Sequence, residues 1–337
     1  MANILLTQQC IRSCPYCFAK QHMSENAPDD TLTWENLMYI VDFFDASNEK
    51  HFSLLGGEPF LHPNFIDIVL YLRERKFRTN VFTSGVMSNK MFEEAIKEFA
   101  PITPNQLSFV VNVNDPKKTS FSELETVKRF LRAFGHFSSL SFNVYREDFD
   151  MDFLVQYINE YGLKRHIRLG LAHPIPGVKN SHIKPDGMRD MAKNLMSFIP
   201  KLNANKISVG FDCGMPMCLF TDEEMGILYK HAGGQLKFTC GPAVDVGPDM
   251  SVWTCFPLSN YKKTTLFDFD NVQQIRRYYS KMMNAGKSEI HGIFEACDDC
   301  EWRTEKLCSG GCYAHSVSKF HNEPENLRKL EEVINNE

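Results

Sequence analysis

Residues 8–20 read QQCIRSCPYCFAK and set Cys10, Cys14 and Cys17 on one short stretch, spaced C-x3-C-x2-C. A structural zinc takes four ligands, usually as two spaced pairs. A bacterial ferredoxin run carries more cysteines and ends in Cys-Pro. Three thiols on one loop are the number expected where one position of a metal centre stays open. Three thiolates can hold three irons of a [4Fe–4S] cube and leave the fourth iron to a small molecule. A zinc site or a chance cluster is the alternative.

The other eight cysteines all lie beyond residue 205. Cys297, Cys300, Cys308 and Cys312 are spaced C-x2-C-x7-C-x3-C, with a Gly-Gly pair before the last. Cys240 and Cys255 bracket a stretch that reads as a β-hairpin, and Cys213 and Cys218 precede them. Eleven cysteines in a long chain with no signal peptide fit metal binding better than a disulfide scaffold, because an odd count pairs poorly and the thiols cluster. By spacing alone, zinc is the safer reading of the last four, with iron–sulfur the alternative.

These groups need a scaffold, and the first two hundred residues supply alternating strands and helices. The apolar run NILLT is followed by a helix capped by Thr33, and HFSLLGG by the helix HPNFIDIVLYLRER. RTNVFTSG, LSFVVNVN, LSFNVYR and HIRLGLA follow as strands, each with a helical segment after it, the last being GMRDMAKNLMSFIP. Six such units predict a parallel sheet with right-handed crossovers, either doubly wound or partly closed into a barrel. The strands read as apolar nearly throughout, as for strands buried on both faces. Ligands of such sheets sit at the C-terminal strand ends. The cysteine loop, LLGGEP and TSG end the first three strands, so they are expected on one rim.

The chain has 337 residues, 43% hydrophobic and 23% charged, with a net charge of −5. A soluble protein is expected, with no basic face for nucleic acid and no apolar run near the ~20 residues that cross a bilayer. Cytoplasm is the expected location. The expected domains are 1–205, a loop-rich cysteine region over 206–320, and a tail helix over 321–337.

The C-x3-C-x2-C loop, with Tyr16 before its last cysteine, resembles the signature of the radical S-adenosylmethionine superfamily. GGEP after the second strand resembles that family's motif as well. The resemblance implies a partial (β/α)6 TIM-type barrel, with a [4Fe–4S] cluster on Cys10, Cys14 and Cys17. S-adenosylmethionine then chelates the open iron, and one electron cleaves it to a 5′-deoxyadenosyl radical that abstracts hydrogen. Gly56, Gly57, Glu58 and Pro59 are implied at its methionine amino group. Ser84, with Gly85, is implied at the ribose or substrate, and Asn112 and Asn143 at the ribose or carboxylate. An ordinary strand-end cap is the alternative for each asparagine.

The C-terminal cysteines resemble the SPASM extension of that superfamily, which holds auxiliary [4Fe–4S] clusters. By order along the chain, Cys218, Cys240, Cys255 and Cys312 are implied for a first auxiliary cluster, and Cys297, Cys300 and Cys308 for a second. The fourth ligand of the second is open, with Cys213 a candidate for that place or for a hydrogen-atom donor. The sequence departs from the pattern at Met250, where glycine is usual, in the x7 interval, and in having no cysteine after Cys312.

The resemblance implies oxidation or crosslinking of a peptide or protein, with flavodoxin or ferredoxin as electron donor. Only nine residues precede Cys10, so a leader peptide is expected to need a separate recognition protein or a direct groove. The alternatives are a dehydrogenase or epimerase acting on a small molecule and a non-catalytic metal-binding or redox-sensing protein. His173 falls on the correct rim, where a capped or solvated histidine is the ordinary expectation. Arg168, which alternates with apolar residues, is expected to face solvent or pair a carboxylate.

Overall fold

The computed structural model describes residues 2–19, 30–212, 214–232, 236–289 and 292–321. Cys213 and the expected tail helix beyond residue 321 lie outside the described residues. Seven parallel strands stand side by side in chain order: β1 (Ala2–Leu5), β2 (His51–Leu55), β3 (Arg78–Thr83), β4 (Leu107–Asn112), β5 (Ser138–Val144), β6 (His166–Leu171) and β7 (Ser208–Phe211). The crossovers are α1 (Trp34–Ala46), α2 (Phe65–Glu74), α3 (Asn89–Phe99), α4 (Phe121–Phe134), α5 (Asp152–Tyr161) and α6 (Met188–Ala204).

The local signals act as their chemistry dictates. Thr33, Ser88 and Ser120 cap α1, α3 and α4 by accepting from the backbone N–H of Asn36, Met91 and Glu123, contacts each typically worth about 1 kcal/mol. The expected stop of α6 at Pro200 is overrun by four residues. A proline costs the helix one hydrogen bond, but Ile199 and Leu202 on either side are buried and carry the apolar face onward.

The strands differ from the expectation of burial on both faces. β4 alternates strictly, with Leu107, Phe109 and Val111 buried and Ser108, Val110 and Asn112 half-buried. The buried face packs on the helices, whereas the other face is turned inward and largely polar. The sheet is curved. Arg168 on β6 lies 4.9 Å from the ring centroid of Phe82 on β3, although three flat strand spacings span about 14 Å.

The parallel array continues past residue 205 into β7. On the opposite side β8 (Asp245–Val246) pairs parallel with β1, setting Asp245 beside Asn3, and β9 (Ser251–Trp253) and β10 (Thr264–Thr265) follow antiparallel. β8 and β9 are the expected hairpin between Cys240 and Cys255. The charge of Asp212, just after β7, acts on Asp245 of β8 although β1 to β6 intervene in the sheet. Only a sheet curled toward a barrel brings them so near. Met250, in the hairpin turn, has φ +66° and a buried side chain. The remaining helices are α7 (Asp222–Ala232), α8 (Val272–Glu289), α9 (Glu301–Thr304) and α10 (Tyr313–His321). One apolar core runs from Ala2 to Val317.

Candidate active site and cysteine clusters

The cysteine loop leaves β1 and is held from below by the end of β2. The backbone N–H of Gly57 donates to Thr7 O at 2.8 Å, and that of Glu58 to Gln9 O at 2.7 Å. A β-carbon on Gly57 would meet Gln9 O at 2.0 Å and Cys10 Cβ at 2.9 Å. Glycine is therefore required at 57 by the close approach of two backbones.

Glu58 is buried and its carboxylate accepts from Thr83 Oγ1 (2.6 Å), Ser84 N (2.7 Å), Ser84 Oγ (2.5 Å) and Phe60 N (3.3 Å). Burial raises its pKa, while these donors oppose the rise. Ser84 thus meets Glu58, and the ends of β2 and β3 form one hydrogen-bonded unit. Pro59 opens the short turn Pro59–Leu61, with Glu58 at its cap. Asn143 Nδ2 donates to Asn112 Oδ1 at 2.9 Å, so the two expected ribose contacts are joined to each other.

Arg12, inside the x3 interval, was not singled out from the sequence. Its Nη1 donates to Asn112 O (2.6 Å), Nη2 to Ser84 O (3.4 Å), and Nε faces Glu123 of α4 at 2.7 Å. The side chain is 7% exposed. It ties the cysteine loop to the ends of β3 and β4. The only sequence signal was a long cation inside a metal-binding motif, which alone does not separate a tether from a solvated residue. Tyr16 is buried, donates to Asn114 Oδ1 at 2.7 Å and stacks on Tyr145 with ring centroids 4.9 Å apart.

The thiol of Cys10 is pushed up to about 11, first by burial and then by the nearby charges of Glu58, Cys17 and Cys14. The three thiols therefore share one locale, and a bound metal would be needed to hold Cys10 deprotonated at neutral pH. Beside them a cleft of about 240 Å³ is lined by Cys14, Tyr16, Asn114, Asn143, Tyr145 and Arg146, among others.

None of the ten described cysteines is in a disulfide. Cys297, Cys308 and Cys312 are buried, and Cys218 is exposed on the turn Met217–Leu219. Gly310 and Gly311, with φ +71° and +94°, turn the chain between Cys308 and Cys312, and Gly310 N donates to Cys308 Sγ at 3.3 Å. Burial raises the Cys312 thiol, and Cys240 adds to the rise. Cys255 precedes Phe256, whose ring lies 5.1 Å from that of Phe18, the residue after Cys17. The hairpin's last cysteine is thereby brought toward the first loop.

Among the described residues no three His, Cys, Asp or Glu side chains are gathered tightly enough to hold one metal ion. A cube binds each thiolate at a different iron and takes them further apart than one ion does. Three thiols on one loop, backed by Gly57 and tethered by Arg12, fit that requirement. Arg168 pairs with Asp212 at 2.5 Å and donates to Ser141 Oγ at 3.2 Å, both on the inner face. His173 is buried, not solvated, in edge contact with His315, which also meets His182.

Residues 4–151 match the model of the radical SAM superfamily. The PqqA peptide cyclase of Gluconobacter oxydans is 31% identical over 150 residues, covering 42% of this chain and 41% of that protein. The chain thus spans less than half the length of that relative. Among solved structures, Streptococcus suis SuiB bound to S-adenosylmethionine superposes with TM-score 0.64 at 15% identity, over 93% of this chain and 73% of that one. Native anSMEcpe with bound AdoMet gives 0.64 at 17% identity over 100% of both chains. At such identities these likenesses show the fold, a partial barrel.

Proposed function

Because residues 4–151 match the model of the radical SAM superfamily, we propose that the protein is a radical S-adenosylmethionine enzyme that abstracts hydrogen from a peptide, in a net oxidation or a crosslink. The observation that carries this reading is the packing of Gly57 against Gln9 and Cys10, which fixes the three-cysteine loop against the end of β2. When bound, the cluster supplies the electron that cleaves S-adenosylmethionine to a 5′-deoxyadenosyl radical.

The chain's own residues do the positioning. Cys10, Cys14 and Cys17 hold the cluster. Gly57 and Arg12 fix the loop that carries them. Glu58 joins the ends of β2 and β3 beneath the site, and Tyr16, Asn114 and Asn143 wall the adjoining cleft. The auxiliary cysteines support electron relay away from the substrate, with a flavodoxin or ferredoxin supplying the first electron.

Support for a peptide comes from the relatives: a PqqA peptide cyclase, SuiB solved with the precursor peptide SuiA, and anSMEcpe solved with the Cp18Cys peptide. The inner face of the barrel favours a second reading. Asn3, Asn80, Ser108, Ser141 and Arg168 replace the bulky apolar layers that usually fill such an interior, which suits a small polar molecule. Among the described residues no helix is long and apolar enough to cross a membrane.

The test is 5′-deoxyadenosine release by the reconstituted protein, with candidate peptides and, separately, small polar metabolites. Stimulation by a peptide, with a mass loss of two hydrogens in it, supports the reading. Stimulation by small molecules alone supports the second.

A further inference from the structure

The inner wall of the barrel leads from the rim down to one ion pair. Asn143, which lines the cleft beside the cysteine loop, stands on β5 two residues beyond Ser141, about 7 Å along the strand. Ser141 is opposite Arg168 of β6, and Arg168 is opposite Gly210 of β7. Residues two apart on a strand share a face, so Asn143, Gly170 and Asp212 stand one step nearer the rim on the same wall. Gly170 and Gly210 carry no side chain to cover Arg168. Arg168 and Asp212 accordingly keep 30% and 39% of their side-chain surface exposed, although they lie within the barrel.

The pair is held but not saturated. The Arg168 guanidinium lies 4.9 Å from the Phe82 ring centroid, donates from Nη1 to Ser141 Oγ at 3.2 Å, and sets Nη2 2.5 Å from Asp212 Oδ2. The ring and the hydroxyl together fix the guanidinium in place. A guanidinium has five N–H donors and a carboxylate two oxygens. Among the described residues, these contacts leave three donors of Arg168 and Oδ1 of Asp212 without a partner. On the same wall, Ser53 of β2 stands between Asn3 and Asn80 in the register, is fully buried, and makes no hydrogen bond through Oγ. Buried polar groups are as a rule paired, so an orphaned hydroxyl on this wall points to a ligand in the interior.

Charge selects the class of ligand. Arg168 and Asp212 cancel, and neighbouring groups on the wall are neutral, such as Ser141, Asn143, and Asn80 bonded to Ser108. Asp245, a further carboxylate of this wall, is bonded to Asn3, and burial raises its pKa to about 7, so it keeps its proton below that pH. A carboxylate entering here would meet the like charge of Asp212, and an ammonium that of Arg168. Either would set one member of the pair against a like charge in a half-buried site, which is costly. A neutral amide avoids both, because it carries an acceptor and a donor side by side. We propose that the Arg168–Asp212 pair binds a neutral amide group of the substrate, whose carbonyl accepts from Arg168 and whose N–H donates to Asp212 Oδ1. This deepens the reading of the chain as an enzyme acting on a ligand inside its barrel, and rests on it. The amide is a backbone peptide group or a carboxamide, seated inward of Asn143 and the cleft.

The experiment uses the full chain, reconstituted anaerobically with iron and sulfide and loaded with S-adenosylmethionine. Saturation-transfer NMR reads the binding of four probes of similar size: butyramide, N-methylpropionamide, butyrate and butylammonium. The amides should bind wild type about 10-fold more tightly than either ion, the scale of a hydrogen bond to a charged group. Asp212→Asn leaves Arg168 uncompensated and should turn the preference to butyrate. Arg168→Gln leaves Asp212 alone and should turn it to butylammonium. Tighter binding of N-methylpropionamide assigns the site to a backbone peptide group, and tighter binding of butyramide to a carboxamide. No bound probe, equal binding of all four, or a wild-type preference for an ion overturns the proposal, as does an unchanged ranking in either folded variant. Far-UV circular dichroism checks folding; if Arg168→Gln does not fold, Asp212→Asn carries the test. Reductant-driven 5′-deoxyadenosine, read without any probe, keeps the two readings apart. Its absence from wild type overturns the enzyme reading, whereas its presence with the wrong ranking overturns the role of the pair alone.

Discussion

Gly57 lies against Cys10 so closely that a β-carbon at 57 would fall 2.9 Å from that of Cys10 and 2.0 Å from the carbonyl oxygen of Gln9. The backbone of one strand end is thus the mould for the cysteine loop of another. Gly57→Ala is expected to displace the loop and remove the iron held by Cys10, Cys14 and Cys17, while the C-terminal iron stays. Gly226→Ala in α7, where a β-carbon meets nothing within 4 Å, is the control and should leave iron content at the wild-type value. Iron analysis of the reconstituted proteins decides.

Arg12 acts on the same loop from the other side. Its three directions of contact, to Asn112, Ser84 and Glu123, need the planar guanidinium fork. Arg12→Gln and Arg12→Lys are both expected to weaken iron retention against a chelator by about 10- to 100-fold, the range for residues that orient metal ligands. Lysine rescues little because it restores the charge without the fork. Full retention in Arg12→Lys would reduce the contact to a charge effect.

Met250 sets two magnitudes against each other. Its left-handed backbone costs about 1–2 kcal/mol relative to glycine, but burying a methionine side chain contributes about 1.5–3 kcal/mol. Met250→Gly removes both and should be slightly destabilising. Met250→Ala keeps the strain and loses the packing, so it should be the least stable of the three. Urea midpoints give the order.

Asp245 is buried at the β8–β1 junction, and burial raises its pKa to about 7 despite the hydrogen bond from Asn3. An unfolded aspartate ionises near 3.9. Between about pH 4 and 7 the folded chain therefore keeps a proton that the unfolded chain has lost, and the Asp245 contribution falls as pH rises. At roughly 1.4 kcal/mol per pKa unit, the effect is of order 4 kcal/mol at most. Asp245→Asn should remove it, so that variant gains stability over wild type as pH goes from 4 to 7.5. Parallel stability curves for the two proteins would exclude a neutral Asp245.

The strand–helix order, the Thr33 cap and the convergence of the cysteine loop, GGEP and TSG on one rim were legible in the sequence, because each rests on local periodicity or on a side chain bonding three residues away. What was not legible depends on closure of the chain. β7 is four residues long, too short for a period to register. The inner polar face emerges only once the sheet curls and sets Arg168 over Phe82. Arg12 gave no periodic signal at all.

The most direct measurement compares wild type with a Cys10/Cys14/Cys17→Ala variant after anaerobic reconstitution, counting iron and assaying reductant-dependent 5′-deoxyadenosine. The account expects the variant to lose about four irons and all 5′-deoxyadenosine while retaining its C-terminal iron. Equal iron in the two proteins, or 5′-deoxyadenosine from the variant, would contradict it.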